Sequence, residues 1–388
     1  MLRSLYSGIS GLRSHQTMLD VTGNNIANVN TTGFKASATQ FQDTLSQLTK
    51  GAGGAQAEAG GTNPAQIGLG VQVAGISTNF AQGSAQATGR ATDMMISGDG
   101  FFVTGKGGER LYTRAGAFEL DANGHLVSPD GAILQGWMAV NGQIPVGGAV
   151  ADITLSPNTL SPAVPTGSAT VGGNLPSDAA PGTRLVRDIE IYDGVGRKST
   201  LSLTFEKTAG GWDIQDAAGT AVGTAAFDPQ GQRTSAPSIT AGGIPVDVSA
   251  LTGYAGMTTV AFGSQDGRAA GTLESFSMSP DGTLMGSFSN GAQAVVGRVA
   301  LATFTNPGGL EKAGSSSYRG TANSGAVEVG TAGTAGMGTL SGGSLEMSNV
   351  DLSQEFTNLI VAQRGFQANA RIITTSDEVL QELTNLKR

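Results

Sequence analysis

Apolar residues recur at three- and four-residue steps at both ends of this chain and in short alternating runs between them. In the first segment Leu2, Leu5, Ile9, Leu12, Leu19 and Ile26 follow the seam spacing of a coiled coil, with Gln16 filling one position. That spacing predicts an amphipathic helix. Its stop is expected between Asn30 and Gly33, where Asn and Gly tolerate the left-handed conformation. The last segment keeps the same register through Leu352, Phe356, Leu359, Phe366, Ala370, Ile373 and Leu380, with Gln363 and Asp377 on the seam. Ser348, Asn349 or Asp351 is placed to cap its start, and Lys387 and Arg388 suit the negative end of its dipole. A helix over the whole segment would run for about 57 Å at the standard rise.

Between the ends the period falls to two, and the runs are punctuated by Asn123-Gly124, Asp130-Gly131, Asn141-Gly142, Asp193-Gly194, Asp281-Gly282 and Asn290-Gly291. Such dipeptides between alternating runs predict hairpins. Glycine and proline mark the same division. Residues 1–50 and 350–388 hold only Gly8, Gly11, Gly23, Gly33 and Gly365 and no proline, although the chain has 60 Gly and 13 Pro. The middle is therefore expected to be all-β. Phe118–Leu126 and Phe276–Leu284 share a frame, F-x-[LM]-x-x-[ND]-G-x-L, which fits either two related hairpins or coincidence. Pro-, Gly- and Ala-rich stretches near 145–182 and 223–246 flank a strand-like block from Ile189 to Phe205, which suggests a second β domain inserted into the first. Residues 51–66 read as flexible loop or extended linker.

Composition narrows the chemistry. The 388 residues include 22 Lys and Arg against 30 Asp and Glu, a net charge of −8, and no cysteine. Thiolate chemistry, disulfides and cysteine zinc sites are excluded. An acidic chain whose basic runs are no longer than pairs such as Arg197-Lys198 is not built to neutralise phosphates, so neither nucleic acid nor an anionic membrane is an expected partner. Uncharged stretches at 131–151 and 153–177 are interrupted by Gly, Pro, Asn, Gln and Ser and do not read as membrane spans. Arg13 and His15 cut short the apolar run of the N-terminus, and no A-x-A site follows, so signal cleavage is not expected.

Candidate catalytic features fail on spacing. Gly100-Phe-Phe-Val-Thr-Gly-Lys106 begins like a phosphate loop, but Gly107 replaces the Ser or Thr that reaches magnesium. Asp121, Asn123 and Asp130 superficially resemble a calcium loop, yet Gly124 falls at position 4 rather than 6 and Ala132 stands where the bidentate Glu belongs. His15 and His125, the two histidines, lie in different segments. No catalytic, cofactor-binding or metal-binding residue is therefore assigned, and no enzymatic activity is expected.

The terminal stripes point elsewhere. Tyr6, Met18 and Val21 in the first segment, and Ile360, Val361, Ile372, Val379 and Leu386 in the last, fall off the seam and would stay wet in an isolated two-helix coil. Neighbouring copies of the same pair are the simplest cover, and a contact between different faces of identical subunits propagates as a helical array.

Two runs carry a resemblance. Ser7-Gly-Ile-Ser-Gly-Leu12 followed by Asn24-Asn-Ile-Ala-Asn-Val-Asn-Thr-Thr-Gly-Phe-Lys35, and Ser348-Asn-Val-Asp-Leu-Ser-Gln-Glu355 through Ala362-Gln-Arg-Gly-Phe-Gln-Ala-Asn-Ala370, are similar to the opening and closing segments of the bacterial flagellar rod and hook proteins. Gly98-Asp-Gly-Phe-Phe-Val103 and Tyr112-Thr-Arg-Ala-Gly-Ala-Phe118 resemble that family's first β domain. Rod members are generally shorter, so the added β material and the run Ile191–Lys198 with Leu201–Phe205 favour the hook branch.

The resemblance implies an α+β multidomain chain whose N- and C-terminal helices pair as a coiled coil around all-β middle domains, the outer inserted in the inner. Expected boundaries are 1–28 with 350–388 for the helical core, 29–71 for an extended connector, 72–147 with 276–349 for the inner β domain and 148–275 for the outer one. Assembly residues are then Leu2, Leu5, Tyr6, Ile9, Leu12, Leu19, Ile26, Leu352, Phe356, Leu359, Phe366, Ile373 and Leu380. The motif and connector residues are Asn24, Asn25, Asn28, Asn30, Thr32, Gly33, Phe34 and Lys35.

By the same resemblance the chain is a homopolymer that forms a curved tube and universal joint. It would meet the distal rod, the hook cap, the hook–filament junction protein, the hook-length ruler and the type III export apparatus, with no cofactor. It would be extracellular and exported without cleavage. Cysteine cross-linking of subunits is impossible here. A distal-rod subunit, a surface adhesin fibre and a carboxylate hydrolase are the competing readings.

Overall fold

A computed structural model describes residues 2–54, 60–140, 142–145, 148–156 and 158–385, with only the backbone described for Leu2. The expectations placed on Asn141, Leu386, Lys387 and Arg388 lie outside the described residues. The chain is mostly β, with one long helix at each end: α1, Leu2–Ala27, and α2, Leu352–Asn385. Asp351 caps α2, its Oδ1 accepting from the backbone N–H of Ser353 at 2.8 Å and of Gln354 at 3.3 Å. No helix among the described residues is long and apolar enough to cross a membrane.

The end of α1 differs from expectation. The helix stops at Ala27, and Asn30 is not left-handed; only Gly33 is, at φ +66. Asparagine side chains compete for the last carbonyls: Asn28 Nδ2 donates to Asn24 O at 2.9 Å, and Thr31 Oγ1 donates to Asn28 Oδ1 at 3.0 Å.

Segments 37–50 and 65–78 pair with each other rather than running as an extended connector. The strands β1, Ser37–Asp43, and β4, Val71–Thr78, pair antiparallel with a bulge at Gln40/Phe41, and β2, Ser46–Lys50, pairs with β3, Ala65–Gly68. Beyond β2 and β3, Gly53 and Thr62 form an antiparallel bridge. The near end of this arm lies against α1, where Val71 N donates to Ser10 Oγ at 3.3 Å and the rings of His15 and Phe41 are 5.9 Å apart.

Two compact units divide the chain. The first comprises 1–155, 277–285 and 295–388, and the second 156–276 and 286–294. In the first, an antiparallel ladder runs through Ile133–Met138, Phe101–Lys106, Glu109–Thr113, Ser317–Arg319 and Glu311–Gly314. Leu301–Phe304 also pairs with Phe101 and Phe102. Its core includes an aromatic cluster in which Phe101, Phe304, Tyr112 and Tyr318 meet edge-on, the closest centroids 4.8 Å apart. The suspected phosphate loop is a hairpin here, and Lys106 Nζ donates to Asp130 O at 2.6 Å and Oδ2 at 3.2 Å.

The second unit packs the sheet of Arg184–Tyr192, Lys198–Thr208, Gly211–Gln215 and Ala221–Ala225 on a sheet of Ser238–Ala241, Ile244–Thr252, Ala169–Asn174 and Ala261–Gln265. Leu203, Phe205, Trp212, Ile214, Val246, Val248 and Leu251 fill its core.

Turns occur at the expected 123–124, 130–131, 281–282 and 290–291, and two more, led by Asp216 and Asp228, carry no Asn-Gly or Asp-Gly dipeptide; four of the turns share one geometry. At Asp121, Asp193, Asp216 and Asp228 the carboxylate accepts from the N–H two and four residues on, and the glycine three residues on is left-handed. The signal is thus D-x-x-G, a type I turn followed by a left-handed residue. This corrects one site: the left-handed residue after Asp193 is Gly196, not Gly194. It also assigns Asp121 a turn role.

Candidate assembly surface

Helices α1 and α2 run antiparallel in contact, and their closest approach is carried by small residues. A Cβ built on Gly11 would stand 2.7 Å from the Asn369 side chain, one on Gly365 would stand 2.5 Å from the His15 ring, and one on Gly8 would stand 3.4 Å from Ile373. Gly8, Gly11, Ser14, Thr22 and Asn25 are buried on α1, and Glu355 and Ala362 on α2. The packed seam therefore lies beside the predicted apolar one. Leu5, Ile9, Leu12, Leu19 and Ile26 are half-buried on its flank, as are Leu359, Phe366 and Ile373. The glycines were a legible signal, since an isolated Gly within a helical pattern marks a packing reason.

Much of the large apolar surface of α2 stays outside this seam. Leu352, Phe356 and Ile360 stack at four-residue steps on one flank, and Val361, Ile372, Val379 and Leu383 lie on the other. Phe356, Ile360 and Val361 are each at least half exposed, and Tyr6 of α1 is 66% exposed. Leu380 is exposed on the seam side.

Two buried polar clusters fix the roots of the helices. Asn25 Nδ2 donates to Glu355 Oε1 at 3.1 Å and to Ser37 O at 2.8 Å, and its Oδ1 accepts from Ser37 N at 3.0 Å. One amide thus joins α1, α2 and β1. The second cluster is ionic. Lys35 and Glu346 are fully buried, with Nζ 2.6 Å from Oε1, and Arg114 Nη1 stands 3.5 Å from Glu346 Oε2. Lys35 Nζ also donates to Ala81 O, Gly83 N–H donates to Glu346 Oε1, and Gly33 N–H donates to Glu346 O, each at 2.8 Å. Burial pulls the Lys35 ammonium below the usual lysine range against the opposing pull of Glu346. Burial likewise lowers Arg114, with Glu346 and Asp99 opposing.

Gly33 must be glycine for this arrangement. Its φ is left-handed, and a Cβ would stand 2.4 Å from Ala115 N. Of the other motif residues, Asn28, Thr32 and Phe34 are half-buried, and Asn24 and Asn30 are exposed. Glu346 was missed by sequence reading. An acid two residues before Ser348-Asn349 carries no local sign that it will be buried against two cations from distant segments.

Tyr318 lies beside this cluster. Burial raises its phenol to about 12. An unfolded chain releases that proton near pH 10, so rising pH between about 10 and 12 favours unfolding by up to about 3 kcal/mol. Tyr318→Phe is expected to flatten the alkaline limb of a stability–pH curve there, read by urea unfolding at fixed pH values. An unchanged slope would show that the phenol titrates freely.

No group of three or more His, Asp or Glu able to hold a metal occurs among the described residues. The geometry is that of a subunit with a fixed helix pair and large unpartnered apolar flanks.

Comparison with known families gives three matches in chain order. Residues 5–35 match "Flagella basal body rod protein", 95–165 match "Flagellar hook protein FlgE/F/G D1 domain", and 341–386 match "Flagellar basal body rod FlgEFG protein C-terminal". Lys35, Arg114 and Glu346 fall one in each. Among relatives, the flagellar hook protein FlgE of Borreliella burgdorferi is 39% identical and that of Treponema pallidum 37%, each over 100% of both chains. The flagellar basal-body rod protein FlgG of Bacillus subtilis is 35% identical, also over 100% of both.

Proposed function

The chain belongs to the family of flagellar hook and basal-body rod proteins and is a structural subunit of the hook, and from that premise we propose that its copies assemble through the apolar flanks of the terminal helices. It is a polymeric axial component of the flagellum, not an enzyme. The exposure of Phe356, Ile360 and Val361 beside an already filled helix seam carries the reading: about half of each residue has no cover within its own unit. About 25 cal/mol per Å2 of apolar surface buried makes a neighbouring copy the favourable cover.

In this reading α1 and α2 pair as a coiled coil in an inner tube, the arm joins them to an inner β domain, and residues from about 148 to 275 form an inserted outer domain. Long packed helices resist twist, while weakly charged β domains slide between neighbours as the tube curves, so the tube works as a universal joint carrying torque. The subunit lies outside the cell, exported uncleaved by the flagellar type III apparatus. It adjoins the distal rod, the cap, the junction protein and the length ruler.

Electron microscopy of the purified full-length chain tests this. Hollow bent tubes are expected. Straight tubes would assign the chain to the rod, the less supported reading, to which its full-length similarity to the Bacillus rod protein points, and the lack of any polymer would overturn both.

A further inference from the structure

The outer side of α2 is sorted by charge along its length. At about 100° per residue, Arg364, Arg371, Glu378 and Glu382 fall within about 40° of one another, opposite the buried Ala362 that faces α1. All four are exposed. None forms an ion pair among the described residues, and no acid stands three or four positions from either Arg. Glu378 and Glu382 stand one turn apart, a like-charge pair that disfavours an isolated helix. Asp377 lies about 120° off the stripe, and the other exposed charges described on the pair, Arg3, Arg13 and Asp20, are on α1. Two cations followed by two anions on one stripe can be neutralised by a displaced copy of the same stripe.

The apolar flanks give a displacement independently. Phe356 and Ile360 border the stripe on one edge, and Ala368, Ile372, Val379 and Leu383 border it on the other, the two rows about 120° apart around the helix. Parallel copies lying side by side can set one row against the other. Shifting one copy by the separation of Ile360 and Ile372, about 18 Å, brings those two level and Phe356 level with Ala368. The same shift brings Glu382 of the displaced copy to within about 2 Å of the level of Arg371, and Glu378 to within about 3 Å of the level of Arg364. One stagger thus serves the apolar rows and the charges.

We propose that the Phe356 and Ile360 row of one copy packs on the Ile372 row of a parallel second copy displaced by about 18 Å, with Arg364 and Arg371 of the first paired to Glu378 and Glu382 of the second. Charges flanking an apolar helix contact fix its register in this way. The two rows are different surfaces, so the contact is heterologous and repeats without closing. An antiparallel pair would also match the signs, but it is self-complementary and stops at two copies. The inference rests on the hook-subunit reading and adds to it the register of one contact.

Cysteine trapping tests it, because the chain has none of its own. Ile360→Cys with Ile372→Cys sets two thiols about 18 Å apart on one helix, too far to join within a chain. Oxidised tubes of this variant should yield a ladder of covalent multimers, and either substitution alone should yield no cross-link. A dimer from a single substitution would reveal the self-complementary pairing, and tubes without a ladder would give the flanks to another face or another axial subunit. Either result overturns the contact and leaves the hook reading intact. Charge exchange reads the register separately. Arg364→Glu with Arg371→Glu, and Glu378→Lys with Glu382→Lys, are each expected to raise the critical concentration for tube growth about tenfold, and the chain with all four changes to return to within about threefold of the parent. Paired changes that polymerise like the parent, or a fourfold variant that does not recover, would sink it. A parent chain that forms no tubes would overturn the hook reading and the contact with it.

Discussion

Glu346→Ala is expected to cost about 3–5 kcal/mol, because it leaves Lys35 and Arg114 buried without their shared counter-charge. The loss extends beyond the ion pair. Gly83 N–H gives up its acceptor, and the segment leading into α2 loses its side-chain tie to Lys35 while keeping the backbone bond from Gly33 N–H to residue 346 O. The helix roots should therefore loosen before the second unit does. Urea unfolding should show the first unit melting earlier, with the Trp212 signal of the second unit unchanged. Lys35→Met with Arg114→Met and Glu346→Leu removes all three charges together and is expected to recover most of the stability, since replacing a buried ionic group by apolar side chains is often neutral or favourable. If Glu346→Ala unfolded at the parental urea midpoint, the cluster would have no structural role.

The second large effect concerns assembly alone. Phe356→Ser, Ile360→Ser and Val361→Ser in one chain remove apolar surface that is already at least half in water, so the monomer should lose little stability. In the polymer each of these side chains would give up burial of its exposed half, about 1 kcal/mol apiece. Some 3 kcal/mol per subunit corresponds to a critical concentration higher by a factor on the order of one hundred. Sedimentation of a concentration series reads it directly. Tubes appearing at the parental concentration would place the assembly contacts on other faces of the chain. Together the two variants separate the anchoring of the helices from the use of their flanks.

The helical ends, the β middle and the hairpin positions were legible because each depends on local spacing. Apolar steps of three and four, alternation by two, and Asp or Asn ahead of Gly act within a few residues, whatever the rest of the chain does. The motif Asn24 to Lys35 was visible for the same reason. What the sequence left open was which face of each helix meets the other. The apolar stripe pointed to Leu5, Leu12 and Leu19, but backbones approach most closely where side chains are absent, and Gly8, Gly11 and Gly365 drew the seam to one side. That shift keeps the larger side chains available for other copies.

Sequence by itself thus determined the elements and the family, through patterns that repeat over one or two turns. Only the tertiary structure decided that the strand 37–43 doubles back on 71–78 as an arm, and that Lys35, Arg114 and Glu346 converge. Each of these depends on contacts between residues far apart in the chain, whose energies exist only once the backbone has brought them within a few ångströms.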